Sequence, residues 1–177
     1  KDILLDNLKI VSITDNCKKS ADQTIDGKDC VISPGFVDPF VHFCDPGLEQ
    51  RETLESGSRA AQQGGYTTVF TVPNTQPIAE TKSQVTYIKQ HSQNLPIHVL
   101  PIGAISKKTE GKDLAEMIDM QNNGAVAFSD GLYPVQSTLL FLKALQYVKA
   151  FDGVAIQMPI DKNLGSIGLM NEGIVST

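Results

Sequence analysis

From Pro34 onward, short apolar or β-branched runs alternate with longer helical stretches, and no other feature limits the fold as much. Phe36 to His42 reads as a strand, and Arg51 to Gln63 as a helix rich in small residues that stops at Gly64-Gly65. Thr67 to Val72 is a β-branched strand ended by Pro73, and Thr81 to Gln90 is helical. Ile97 to Ile102 is a third strand. Lys112 to Gln121 is a helix closed by Asn122-Asn123-Gly124, and Ala125 to Phe128 is a short buried strand. Ser137 to Ala150 is the clearest helix, with Leu139, Leu142, Leu145 and Val148 assigned to one face. Val154 to Ile156 makes a fifth strand. Repeated strand–helix units with apolar strands predict an α/β fold, a parallel sheet with helices packed over it.

The residues before Pro34 follow another pattern. Leu8 to Ile13 reads as a strand, Asp26-Gly27 as a turn and Cys30 to Ile32 as a second strand. Residues 1–33 are therefore expected to form part of a small β-subdomain, and residues 34–177 the main unit. A closed (β/α)8 barrel needs eight strands and typically ~250 residues. About five strands and four helices are legible here, and half a barrel leaves two unpaired strand edges. The expectation is the front part of a longer protein, a partial barrel of about five βα units. An open five-stranded α/β sheet is the alternative.

Composition excludes several function classes. The formal net charge is -5, with Lys and Arg dispersed, which argues against nucleic acid as the main partner. No run of 18 apolar residues exists, which argues against a membrane span. Lys1 to Asp6 is too short and too charged for a signal peptide. The three cysteines, Cys17, Cys30 and Cys44, form no Cys-x-x-Cys pair, as expected of free thiols in a reducing cytoplasm.

The chemistry-bearing stretch is Gly35 to Gly47. Side chains alternate along a strand, so Asp38, Phe40, His42 and Cys44 share one face if the strand continues. At the C-terminal mouth of a barrel that face looks into the active site. Two histidines two apart could grip one metal there, but Phe40 has no lone pair to offer.

Four collinear stretches carry a resemblance. They are Pro34 to Pro39 with Asp45-Pro46-Gly47; Glu55 to Ala61 with Gly64 to Thr68; Val72 to Pro77; and Gly124 to Gly131, with Leu169 to Gly173 after it. In these the chain resembles a dihydroorotase of the long, allantoinase-like class of cyclic amidohydrolases. The resemblance implies a TIM-type amidohydrolase barrel in which zinc activates a water to attack a cyclic amide carbonyl. It also implies a carboxylate that moves the proton and comes from the last barrel strand, outside this sequence.

Carried over by position, His42 matches the second histidine ligand and Asp130 the ligand carboxylate after the fourth strand. Asn74 matches the substrate-binding asparagine. Phe40 stands for the first histidine. Cys44 stands for the arginine that pairs with the substrate carboxylate. Gln157 stands where the family places a further histidine, and Asp-Asp-Gly is here Asp130-Gly131.

Each survivor also has a plain structural reading. His42 can be packed and hydrogen-bonded, Asp130 can set the turn before Gly131, and Asn74 can be a turn residue. Cys44 can be a packed thiol, although with His42 it could make a rebuilt soft site. His91 suits a helix C-terminus, and His98 a satisfied place in the third strand.

These three replacements, at Phe40, Cys44 and Gln157, point to lost hydrolysis. Relatives lacking metal ligands are associated with aspartate transcarbamoylase, so the resemblance implies a metal-free structural partner of that enzyme in pyrimidine biosynthesis, in a homo-oligomer. The alternatives are an active zinc-dependent dihydroorotase, or a binding protein that keeps a pocket for a small cyclic amide.

Overall fold

A computed structural model describes residues 1–7, 9–165 and 173–174 of the chain. Its contacts divide it into two units, Lys1–Pro34 and Gly35–Thr177. In the first unit β1 (Asp2–Asp6) and β2 (Lys9–Thr14) pair antiparallel, with a register slip between Leu4 and Leu5. Leu8, expected in a strand, lies outside the described residues. Cys30 to Ile32 forms no strand. Instead, the Cys30 amide donates to the Gly27 carbonyl at 3.0 Å and closes a turn, while Val31 and Ile32 stay exposed.

The second unit is a curled half-barrel of four parallel strands in the order β3 (Phe36–Val41), β4 (Tyr66–Thr71), β5 (His98–Gly103) and β6 (Ala127–Phe128). The connecting helices are α1 (Leu54–Gln63), α2 (Lys82–His91), α3 (Met117–Asn122) and α4 (Thr138–Lys149), with a short α5 (Lys162–Gly165) beyond. The barrel-like α/β reading therefore holds. The fifth strand is reduced to a single bridge, in which the Phe128 amide donates to Val154 and the Ile156 amide to Phe128, both at 2.8 Å.

Two apolar clusters hold this unit. Val69 and Val99 pair across β4 and β5 and bury with Phe43, Leu54 and Ile88. Met117, Met120, Phe128, Ala144 and Val148 build the second cluster. Each such large side chain taken from water is worth about 1.5–3 kcal/mol.

Two helices differ from expectation. The third starts at Met117, not Lys112, because the preceding residues pair back on the segment just beyond β5. The Lys107 amide donates to Asp113 at 2.8 Å and the Ala115 amide to Ile105 at 2.9 Å. On α4 the expected apolar face is mostly outside: Leu139, Leu142 and Leu145 are exposed, and only Val148 is buried. A strict three-residue spacing drifts about 60° per step around a helix, so Leu139 and Val148 end on opposite sides. The face that packs instead carries Leu140, Phe141, Ala144, Tyr147 and Val148.

The shared face of Asp38, Phe40, His42 and Cys44 is also broken. The β3–β4 register slips between Asp38 and Val41, and the strand ends at Val41. The Asp38 carboxylate accepts from the Phe40 amide at 3.0 Å within that slip. Cys44 lies in the left-handed region at φ 64. The expected stretch Leu169 to Glu172 lies outside the described residues.

Candidate functional site

The C-terminal ends of the parallel strands bring most of the sequence-predicted residues together. His42 follows β3 directly and is partly buried. Its Nε2 lies 2.9 Å from the Asn74 carbonyl. A carbonyl only accepts, so Nε2 carries the proton and donates. Phe40 is also partly buried and offers no polar atom.

Asn74 follows β4 and is 8% exposed. Both ends of its amide are used internally. Its Nδ2 donates to the Asp130 carbonyl at 3.2 Å, and its Oδ1 accepts from the Leu132 amide at 2.9 Å. A substrate would have to displace these bonds to reach the group. Gly131, between the two partners, has φ 58, and a Cβ there would sit 1.9 Å from Asn74 Oδ1. Glycine is therefore required by both backbone and space.

Asp130 follows β6 and is wholly buried. Its Oδ1 accepts from the Ile105 amide at 3.0 Å and the Ser106 amide at 2.8 Å, and its Oδ2 accepts from the Ser106 hydroxyl. Burial pushes its carboxyl above the usual carboxylate range, against the opposing pull of the Ser106 hydroxyl and the Ser106 and Ile105 amides. Ser106 was not singled out from the sequence. Only its place just beyond the third strand could have marked it.

Gln157, just beyond the fifth-strand bridge, makes a two-way bond with the Val135 backbone. Its Oε1 accepts from the Val135 amide at 3.3 Å and its Nε2 donates to the Val135 carbonyl at 2.9 Å. Cys44 is buried, and its thiol donates to the His42 carbonyl at 3.6 Å. Both side chains are thus bonded to backbone.

The remaining histidines lie elsewhere. His91 Nδ1 donates to the Tyr87 carbonyl at 2.9 Å, and its ring stacks on Tyr87. His98, at the start of β5, is exposed and lines a cavity of about 300 Å³ with Thr67 and Ser92.

The donor chemistry does not fit a hydrolytic zinc centre. Such a centre needs several imidazoles or carboxylates with free lone pairs converging on one point. Here one position is a phenyl ring, the His42 Nε2 lone pair is lost to a proton, and Asp130 turns its oxygens onto Ile105 and Ser106 beyond β5. Among the described residues, no three His, Cys, Asp or Glu side chains gather closely enough to hold a metal.

A family profile described as Dihydro-orotase-like matches residues 29–175. A dihydroorotase of Syntrophus aciditrophicus is 40% identical over 179 residues, which cover 99% of this chain and 42% of that protein. A dihydroorotase of Pelotomaculum thermopropionicum is 40% identical over 177 residues, covering 100% and 42% respectively. The L-hydantoinase (dihydropyrimidinase) from Arthrobacter aurescens superposes with a TM-score of 0.72 at 27% identity, over 86% of this chain and 35% of that one. The chain thus spans about two fifths of the length of the curated relatives it matches.

Proposed function

The chain belongs to the dihydroorotase-like family, and from that premise we propose that it serves pyrimidine biosynthesis as a non-hydrolytic member, a structural partner of aspartate transcarbamoylase. One observation carries the loss of hydrolysis. The polar atoms kept at the ligand positions are spent on the protein's own backbone and on Ser106, and the position two residues before His42 is Phe40. The partner comes from the resemblance, in which relatives without metal ligands support transcarbamoylase assembly.

Zinc, where present in the family, would polarise a ring amide and sharpen a water into a nucleophile. These residues do not fit it. A second reading, an active zinc-dependent dihydroorotase that opens the ring amide of dihydroorotate, is favoured by the 40% identity to proteins of that name along the whole chain.

Elemental analysis of the purified full-length protein, a dihydroorotate hydrolysis assay and co-elution with aspartate transcarbamoylase separate the two. We expect well under one zinc per chain, no turnover above background and a stable complex at micromolar concentration. One or two zinc per chain with chelator-sensitive turnover would establish the second reading. A silent protein that does not co-elute would remove the partner.

A further inference from the structure

Resting on the reading that these positions hold no metal, we propose that Asn74, Asp130 and Gln157 form a clamp that fixes the loop 131–136 across the strand ends without any metal. Three connections build it. Asn74 ties the end of β4 to both sides of Gly131, through the Asp130 carbonyl and the Leu132 amide. The Asp130 carboxylate ties the end of β6 to Ile105 and Ser106 beyond β5. Gln157 ties the far end of the loop, at Val135, to the segment beyond the fifth-strand bridge.

His42 extends the chain of bonds to β3 through the Asn74 carbonyl, and the Ser106 hydroxyl extends it to the Gly111 amide at 2.8 Å. The side chains of His42, Asn74, Asp130 and Gln157 each bond backbone of a different segment. That is the arrangement by which irregular backbone is held in place when no ion does so. The loop is pinned again at Gln136, whose Nε2 donates to the Ile160 carbonyl at 3.0 Å and whose Oε1 accepts from the Lys162 amide at 2.8 Å.

In this arrangement the residues at the substrate and ligand positions order the mouth of the half-barrel. Binding a metal or a substrate there would require breaking the clamp first. The bonds at the two ends of the loop are independent, so each can be cut separately.

Amide hydrogen exchange and thermal unfolding of the full chain, with and without added zinc chloride, test the proposal on Asn74→Ala and Gln157→Ala. We expect Asn74→Ala to lose protection at Leu132 and Gln157→Ala at Val135, by tenfold or more. Asn74→Ala should also lower Tm by about 5–10 °C, for two buried bonds lost. Zinc should leave the wild-type Tm unchanged. Protection retained in both variants would overturn the clamp, as would a zinc-induced rise of several degrees in the wild type. Should Asn74→Ala not fold, Gln157→Ala decides alone, because Gln157 lies at the rim and is only partly buried. Failure of the clamp is distinguishable from failure of the proposed function. A protein can lack zinc and turnover, and bind the transcarbamoylase, while both variants keep their protection.

Discussion

At the scale of single residues, hydrogen-bond inventory decides what the motif means. Sequence position leaves two readings for each residue: ligand or packed histidine for His42, ligand or turn residue for Asp130, and substrate-binding or turn residue for Asn74. The structure places them within one bonded series, and Ser106 completes it. Asp45, a family marker in Asp45-Pro46-Gly47, acquires a plain physical role in the same way. One carboxylate oxygen accepts from the Leu54 amide at the start of α1, and the other from the Tyr87 hydroxyl, both at 3.1 Å. Burial, then the charge of Asp45, raises the Tyr87 phenol above its usual value of 10.0. The neutral phenol is the form that the fold favours. Its stabilising effect is fully present below pH 10 and is lost as pH rises through the raised value. Absorbance titration at alkaline pH should therefore show one late tyrosine that disappears in Tyr87→Phe. If the component missing in the variant titrates at or below the ordinary value, the assignment fails.

At the scale of elements, α1 shows how local signals and close packing combine. Thr53 and Ser56 cap it reciprocally, with Ser56 donating its amide to the Thr53 hydroxyl at 3.0 Å and accepting from the Thr53 amide at 3.2 Å. Gly57 then lets the helix lie against Phe43, since a Cβ there would come 2.5 Å from the ring. Replacing a mid-helix glycine usually gains up to about 1 kcal/mol in propensity. Here overpacking of about 1–3 kcal/mol opposes it. Gly57→Ala should be destabilising on balance, seen as a lower urea midpoint at unchanged slope; a higher midpoint would show that Phe43 gives way freely. The strands β3, β4 and β5 and the helices α1 and α2 were legible because turn residues bound each of them. The start of α3 was not, because tertiary bonds from Ile105 and Lys107 claim the backbone before Met117. The packed face of α4 was not either, because leucine at a three-residue spacing gives no single face.

At the scale of the whole molecule, the two units differ in what protects them. No strand or helix spans residues 15–35, and Lys18, Lys19 and Lys28 are exposed there. The second unit holds both buried clusters. Limited trypsin digestion should cut first at these three lysines and leave a resistant fragment that begins after one of them. Early cleavage at Lys107 or Lys108, exposed beyond β5, with residues 18–28 intact would contradict this. The parallel sheet is four strands with a fifth touching by one bridge, and the chain spans about two fifths of its relatives' length. A barrel-like sheet read from about five strand–helix units agrees with both observations.

The sequence by itself determined the family, the alternation of parallel strands with helices and the absence of a lone pair at Phe40. Those follow from side-chain chemistry and from patterns local enough to survive without contacts. Tertiary structure alone decided that Asn74 and Gln157 spend their amides on distant backbone, that His42 Nε2 donates, and that Asp130 is sealed under Ser106. A hydrogen bond needs two groups within about 3 Å. In this chain the partners lie 22 to 58 residues apart, a separation that no local pattern encodes.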